Sequence, residues 1–173
     1  MINPKISIIT VTYNAEKVLG KTLESIRKQE YNNIESIVID GASKDRTVDI
    51  IKENSDVVTK WISEPDKGLY DAMNKGLDMA TGDYVWFLNA GDTIYKKNIL
   101  SYLFEEEFVM RDIYYGDTLI VDEQGHKIGG RRLKPKEDVT WKSFKWGMLV
   151  CHQSILVKRD IAPRYNLNYK IAA

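Results

Sequence analysis

Residues 5–14 read KISIITVTYN, and this stretch decides the fold. Residues 5–12 are dominated by Ile, Val and Thr, a run that is typical of a strand buried on both faces of a sheet. The strand ends at Tyr13-Asn14. A helix is predicted next, because the following apolar positions keep helical spacing on one face. These positions are Val18, Leu19, Thr22, Leu23 and Ile26.

The same unit of strand and helix repeats as far as residue 89. Further strands are predicted at 34–40, 57–62 and 84–89, and helices at 47–51 and 69–80. Such alternation is typical of right-handed crossovers between parallel strands. We therefore predict an α/β fold, a Rossmann-related three-layer sandwich whose mostly parallel central sheet carries helices on both faces.

The regular alternation fades after residue 92. A helix is predicted at 98–106, a hairpin within 113–130 with Gly125 at its turn, and a last strand at 153–159. The chain has 173 residues, of which 43% are hydrophobic, enough for one domain with a sizeable core. We therefore expect a single domain over residues 1–173.

Composition excludes several classes of partner. Lys+Arg and Asp+Glu both number 25, so no global field attracts the protein to nucleic acid. Cys151 is the single cysteine and cannot form an internal disulfide. The N-terminus does not resemble a signal peptide, and no window approaches the ~20 apolar residues of a spanning helix. We expect a cytoplasmic protein whose membrane contact, where it occurs, is peripheral and at the inner face.

Polar residues follow three of the predicted strands at the point where each strand ends. They are Thr12-Tyr13-Asn14, Asp40-Gly41, and the segment 89–92, which reads NAGD. In a parallel sheet these ends share one edge, where ligands bind. An aromatic ring can lie against a flat base, and a carboxylate can accept from an imide N–H or a ribose hydroxyl. This combination predicts a nucleoside pocket.

A metal site is predicted beside the same pocket. Asp92 offers a hard oxygen to Mg²⁺ or Mn²⁺, which prefer carboxylate and phosphate oxygens, and Gly91 lets a ligand approach the backbone closely. Each piece also has a purely structural interpretation. Asn14 and Ser43 can cap helices, Asp40 can be a turn residue, and NAGD can be an ordinary turn. The joint placement on consecutive strand ends favours the ligand-binding interpretation.

Three stretches together resemble a known family: ISIITVTYNAEKVLGKTLESI, IVIDGASKDRT and EPDKGLYDAMNKGLDMATGDYVWFLNAGD. They resemble the N-terminal, nucleotide-binding part of a family 2 glycosyltransferase with the GT-A fold. The resemblance is close over residues 5–92 and loose beyond. It implies that residues 1–92 form the nucleotide-binding part and that residues 93–173 begin the acceptor part.

Such enzymes transfer a sugar, typically a hexose or N-acetylhexosamine, from a nucleotide sugar with inversion. The resemblance implies a nucleotide-sugar donor, often a UDP-sugar, and a saccharide or lipid-linked acceptor in bacterial-type polysaccharide or cell-envelope glycan synthesis. It also implies Mn²⁺ or Mg²⁺ as cofactor, held by Asp92. Many relatives carry acidic residues where this chain has Asn89 and Gly91, so we expect modest metal affinity.

The resemblance assigns the residues of the nucleoside site, and sequence position suggests the others. Thr12, Tyr13 and Asn14 would line the uracil site, and Asp40 would hold the base. By its position on the loop after the third strand, Asp66-Lys67 is expected to contact ribose or diphosphate, with a solvated turn as the alternative. His152, beside Cys151 and Gln153, is expected to reach acceptor or diphosphate, with a structural histidine as the alternative. The complete expected substrate-binding set is Thr12, Tyr13, Asn14, Asp40, Asp66, Lys67, Asn89, Ala90, Gly91 and His152.

The catalytic base has no counterpart in the sequence. In similar sequences a stretch like the final NYKIAA is followed at once by an acidic residue, so the base is expected just beyond Ala173. The alternative function is a nucleotide-sugar-binding module without turnover. A sugar-nucleotide pyrophosphorylase would need a Gly-rich loop after the first strand. NAD binding and P-loop hydrolysis would need glycine motifs that the sequence lacks.

Overall fold

The computed structural model describes residues 3–105, 110–134 and 139–169. Position 106, where the fourth predicted helix ends, and Ala173 lie outside these ranges. Strands and helices alternate in the predicted order through the first half of the chain. The strands are β1 Ile6–Thr12, β2 Ile34–Asp40, β3 Val58–Ser63, β4 Tyr84–Phe87, β5 Ile113–Tyr115, β6 Leu119–Val121, β7 Lys127–Gly130 and β8 Ile155–Lys158. The α-helices are α1 Leu19–Arg27, α2 Thr47–Glu53, α3 Leu69–Met79 and α4 Ile99–Glu105.

A six-stranded sheet runs in the order β3-β2-β1-β4-β8-β5. β1 lies between β2 and β4 and is parallel to both, while β8 is antiparallel to β4 and β5. The chain moves outward from β1 to β3 and then returns to the other side of β1 as β4. This reversal is the place where ligands bind in open α/β sheets.

Helices cover both faces of the sheet, as predicted. α1, α2 and α4 bury Leu23, Ile51 and Phe104 against the face that presents Ile8. α3 buries Met73 against the opposite face, together with Ile9, Ile37 and Ile39. Successive residues of β1 therefore point to different layers, and both layers are apolar, which explains the uninterrupted run in the sequence.

Both helix caps suggested by the sequence are wrong. α1 begins after Val18 and α2 after Arg46, and neither receives a side-chain cap from Asn14 or Ser43. These two residues bind each other's loops instead. The Asn14 N–H donates to Ser43 Oγ at 2.8 Å, and Asn14 Oδ1 accepts from the Lys44 N–H at 2.8 Å.

The second half of the chain completes the sheet. β6 and β7 form a hairpin, so the prediction for residues 113–130 is confirmed for its second part, whereas β5 pairs with β8. The predicted last strand corresponds to β8. No helix in the described ranges combines the length and the apolar character needed to cross a bilayer.

Candidate functional site

The carboxyl ends of β1, β2 and β4 meet at one edge of the sheet. Thr12 lies opposite Asp40 in the register of β1 and β2. The Gly41 N–H donates to the Thr12 carbonyl at 2.9 Å, and the Ala90 N–H donates to the Val11 carbonyl at 3.1 Å. The three polar strand ends are therefore neighbours, as the sequence predicts.

A cavity of about 450 Å³, here called the central cavity, opens at this edge. Its position is the one expected for a ligand in a sheet with this strand order. Four of the predicted substrate-binding residues line it: Thr12, Tyr13, Asp66 and Asn89. The rest of the wall comes from Val11, Gly41, Pro65, Gly68 and the first turn of α3.

Gly41 lets two of these side chains converge. A Cβ atom at this position would lie 2.6 Å from Asp66 Oδ2 and 3.3 Å from Tyr13 Cδ2. Asp66 is fixed in this place because its Oδ1 accepts from the Gly68 N–H at 2.8 Å. Tyr13 is 63% exposed, so its ring offers an accessible aromatic surface. The Tyr13 ring and the Asp66 carboxylate therefore both lie close to Gly41, where a larger residue would place its side chain.

Two buried oxygens at the cavity are without a hydrogen-bond partner among the described residues. They are Thr12 Oγ1 at the end of β1 and Asn89 Oδ1 just after β4. Buried polar atoms are nearly always paired, so two unpaired oxygens in one cavity wall indicate a place where a polar ligand binds.

Asp40 is fully buried and does not line the central cavity. Its carboxylate accepts from the Ser43 N–H at 3.0 Å, from the Ser63 hydroxyl at 2.6 Å and from the Ser43 hydroxyl. These bonds fix the loop after β2 and tie it to the end of β3. Neither serine can be recognised from the sequence as a partner of Asp40, because Ser63 is distant in the chain and Ser43 is predicted to cap a helix.

The segment 89–92 forms a tight turn between two cavities. The Asp92 N–H donates to the Asn89 carbonyl at 3.0 Å, and Gly91 adopts a φ of 102°, a conformation that favours glycine. The Gly91 N–H donates to Thr22 Oγ1 at 2.9 Å, which anchors the turn to α1. Asn89 faces the central cavity, whereas Gly91 and Asp92 line a second cavity of about 350 Å³, here called the lateral cavity.

Asp92 is the candidate metal ligand, and its surroundings permit that role. Desolvation raises the pKa of its carboxyl above the ordinary value, although part of the residue remains exposed. The described residues contain no group of three or more His, Cys, Asp or Glu side chains that could hold a metal. Mg²⁺ and Mn²⁺ typically use one or two carboxylates together with substrate phosphates. A single acid therefore fits a cation that takes its other ligands from a diphosphate and water.

The remaining predicted residues lie around this centre rather than in the cavity wall. His152 is half-buried: its ring packs 5.2 Å from the Phe87 ring, and its Nε2 is hydrogen-bonded to the Tyr165 hydroxyl. Burial lowers the pKa of His152, which favours the neutral imidazole. Lys67 is exposed, and its N–H donates to Asp71 at 3.0 Å. Ala90 packs against the core.

Comparison with known proteins decides the family. A family model described as Glycosyl transferase family 2 matches residues 7–163. The chain belongs to glycosyl transferase family 2. The resemblance found in three stretches of the sequence is thereby confirmed.

Relatives extend this match over the whole chain. The PGL/p-HBAD biosynthesis glycosyltransferase of Mycobacterium bovis is 35% identical over 182 residues, covering 100% of this chain and 68% of that protein.

Solved structures show the same architecture. The S. aureus TarS complex with UDP-GlcNAc is 29% identical with a TM-score of 0.53, covering 57% of this chain and 30% of TarS 1-349. TarS 1-349 in complex with UDP matches 97% of this chain and 52% of that one, with a TM-score of 0.62 and 19% identity. The mannosyltransferase PcManGT of Pyrobaculum calidifontis, in complex with GDP-Man and Mn²⁺, is 28% identical with a TM-score of 0.54, covering 58% and 31% of the two chains. The expected GT-A fold is confirmed, and this chain spans about half or less of these solved chains.

Proposed function

We propose that the central cavity binds a nucleotide sugar, a UDP-sugar in the first instance, as donor for a glycosyl transfer. The observation that carries this proposal is the convergence of an aromatic ring, a carboxylate and two unpaired buried oxygens at the reversal point of the sheet in a family 2 chain. The TarS complex with UDP-GlcNAc supports uridine as the nucleoside.

In this proposal each part of the cavity meets one part of the donor. Tyr13 lies against uracil, and the unpaired Thr12 hydroxyl binds a polar group at the edge of the base. Asp66 accepts from ribose hydroxyls, and Asn89 acts where ribose meets diphosphate. Asp40 supports the base site from beneath. It would reach the uracil imide only by releasing Ser43 or Ser63.

Asp92 would hold Mn²⁺ or Mg²⁺ together with the donor diphosphate. The metal, when bound, would neutralise the charge that grows on the leaving diphosphate. The single carboxylate implies that affinity for the metal alone is low and rises when the nucleotide diphosphate is present. PcManGT in complex with GDP-Man and Mn²⁺ supports this assignment.

The proposed acceptor is a hydroxyl of a saccharide or of a lipid-linked saccharide. An inverting transfer to a saccharide or lipid-linked hydroxyl needs a base on the acceptor side. A hexose or N-acetylhexosamine is the proposed transferred sugar, in the synthesis of a bacterial-type envelope glycan. We place the reaction in the cytoplasm, at the inner face of the membrane.

A melting experiment tests donor binding. UDP, GDP and dTDP are added with and without Mn²⁺, and ligand at about 100 times its Kd should raise Tm by roughly 5–10 °C. UDP with Mn²⁺ should give the largest rise. Asp92→Asn should remove the Mn²⁺-dependent part, whereas Asp49→Asn on the exposed surface of α2 should leave it unchanged. No rise with any nucleotide diphosphate would refute the proposal.

A further inference from the structure

The lateral cavity is lined mainly by aromatic and aliphatic side chains. It lies beside β4, α4, β5 and β6, and has a volume of about 350 Å³. This size is within the range of small-molecule sites, which are typically apolar with few polar groups. Its apolar wall includes Trp86, Leu103, Tyr114, Tyr115, Leu119 and Val121.

The lateral cavity begins at the same turn that closes the central cavity. Asn89 contributes to the central cavity, and Asp92, whose N–H binds the Asn89 carbonyl, contributes to the lateral one. The two cavities therefore meet at this turn, and a group in the lateral cavity would lie next to Asp92.

Most polar groups of the lateral cavity already have partners. Ser154 Oγ donates to the Gly116 carbonyl at 2.9 Å, and Gln153 Oε1 accepts from the Cys151 thiol at 3.0 Å. Asp117 accepts from the Thr118 N–H at 2.8 Å and pairs with a lysine. Thr118 Oγ1 is buried without a partner among the described residues. A ligand surrounded by hydroxyls would leave several of them unpaired here, which is costly.

We propose that the lateral cavity is an acceptor subsite that binds an apolar, aromatic or alkyl group attached to the acceptor sugar. This inference rests on the proposed donor function of the central cavity. The apolar group packs among Trp86, Leu119 and Val121, and one polar atom of the acceptor binds the Thr118 hydroxyl, which has no partner among the described residues. The acceptor hydroxyl is then presented at the turn that carries Asp92.

Two glucosides that differ only in their apolar group provide the probe. Phenyl and methyl β-D-glucopyranoside are titrated into the chain saturated with UDP and Mn²⁺, and binding is followed by ¹H–¹⁵N NMR. Burying the ring should make phenyl glucoside bind about tenfold tighter than methyl glucoside. The largest shifts should fall on the Trp86 indole and on the amides of Gly116 and Leu119.

Neighbouring residues of β6 supply matched variants. Leu119→Ser changes the cavity wall, while Ile120→Ser changes the next residue, which is 44% exposed and does not line the cavity. Leu119→Ser should weaken the binding of phenyl glucoside several-fold, whereas Ile120→Ser should leave its affinity unchanged. Val121 also lines the cavity and is partly exposed, and threonine has nearly the same shape as valine. If Leu119→Ser fails to fold, Val121→Thr should weaken the binding of phenyl glucoside in its place.

The outcomes separate the two proposals. If UDP raises Tm but the two glucosides bind equally, or shift residues elsewhere, the acceptor subsite is refuted and donor binding stands. If phenyl glucoside binds in the lateral cavity but no nucleotide raises Tm, donor binding is refuted, and with it the assignment of the cavity to an acceptor.

Discussion

Asn74 on α3 exchanges two hydrogen bonds with the main chain of Tyr165. Its Nδ2 donates to the Tyr165 carbonyl at 2.9 Å, and the Tyr165 N–H donates to its Oδ1 at 2.8 Å. The Tyr165 ring also stacks on Tyr70 of the same helix, with ring centroids 5.1 Å apart. A segment distant in the chain is therefore tied to the helix whose first residues line the central cavity.

Replacing Asn74 should release this segment. Asn74→Leu keeps the volume but leaves the N–H and carbonyl of Tyr165 without partners, a loss of about 1–3 kcal/mol for each buried group left unpaired. We expect faster tryptic cleavage after Arg164, followed by mass spectrometry. Asn32→Leu, at an exposed position far from this segment in the chain, is the control and should cleave at the original rate. Equal rates in both variants would show that the two bonds do not hold the segment.

Two threonines of β1 form a matched pair for testing the donor site. Thr10 and Thr12 both carry buried hydroxyls that have no partner in the described part of the chain, but only Thr12 lines the central cavity. Thr12→Val should leave the free energy of unfolding unchanged or raised, and weaken UDP binding by about threefold to tenfold, the loss expected for one hydrogen bond. Thr10→Val should leave UDP binding unchanged. Isothermal titration of UDP in the presence of Mn²⁺ measures the affinity of each variant. Equal UDP affinities in Thr10→Val and Thr12→Val would contradict a ligand role for Thr12.

Gly41 provides a separate test of cavity shape. A Cβ atom here would lie 2.6 Å from Asp66 Oδ2, so Gly41→Ala must displace this carboxylate while the sheet below is retained. UDP affinity should fall about tenfold, equivalent to about 1.4 kcal/mol. Gly20→Ala in α1, where nothing lies within 4 Å, is the control. It should stabilise the fold by about 0.5–1 kcal/mol and leave UDP affinity unchanged.

The sequence predicts the core elements well because their patterns are local. The run at residues 5–12 becomes β1 Ile6–Thr12, and the predicted strand 34–40 coincides with β2 Ile34–Asp40. A buried strand needs a continuous apolar run, and a surface helix needs an apolar stripe. Both requirements can be recognised without knowing any tertiary contact.

The parts that the sequence analysis misses depend on distant partners. Nothing local to β8 indicates that it inserts antiparallel between β4 and β5. Asp40 precedes a glycine as a ligand-binding acid would, yet Ser63, 23 residues away, binds its carboxylate. Asn14 resembles a helix cap but bonds to the loop after β2. In each case a partner brought close only by folding decides the role of the side chain.

Glu35 organises the edge of the sheet opposite the two cavities. Its side chain is 1% exposed and accepts from the Thr81 hydroxyl at 2.8 Å and the Gly82 N–H at 3.0 Å, while Lys5 lies 2.9 Å away. Burial opposes ionisation, but hydrogen bonds from Ser7, Lys5 and Thr81 hold the pKa of the Glu35 carboxyl well below its ordinary value of 4.5. The folded state therefore favours the ionised carboxylate of Glu35 over the protonated carboxyl.

This lowered pKa makes the contribution of Glu35 to stability depend on pH. The contribution is complete above the unfolded pKa of 4.5 and is lost as the pH falls towards the folded value, because the unfolded chain takes up the proton first. Glu35→Gln should cost about 3 kcal/mol at pH 7, the lower end of the range for breaking a buried ion pair. Urea unfolding at a series of pH values should show the difference from the unmodified chain shrinking below pH 4.5. Glu53→Gln, whose side chain is 61% exposed and pairs with Arg46, should differ little at any pH. A constant difference between Glu35→Gln and the unmodified chain at every pH would mean that the shape of the side chain, rather than its charge, stabilises this edge.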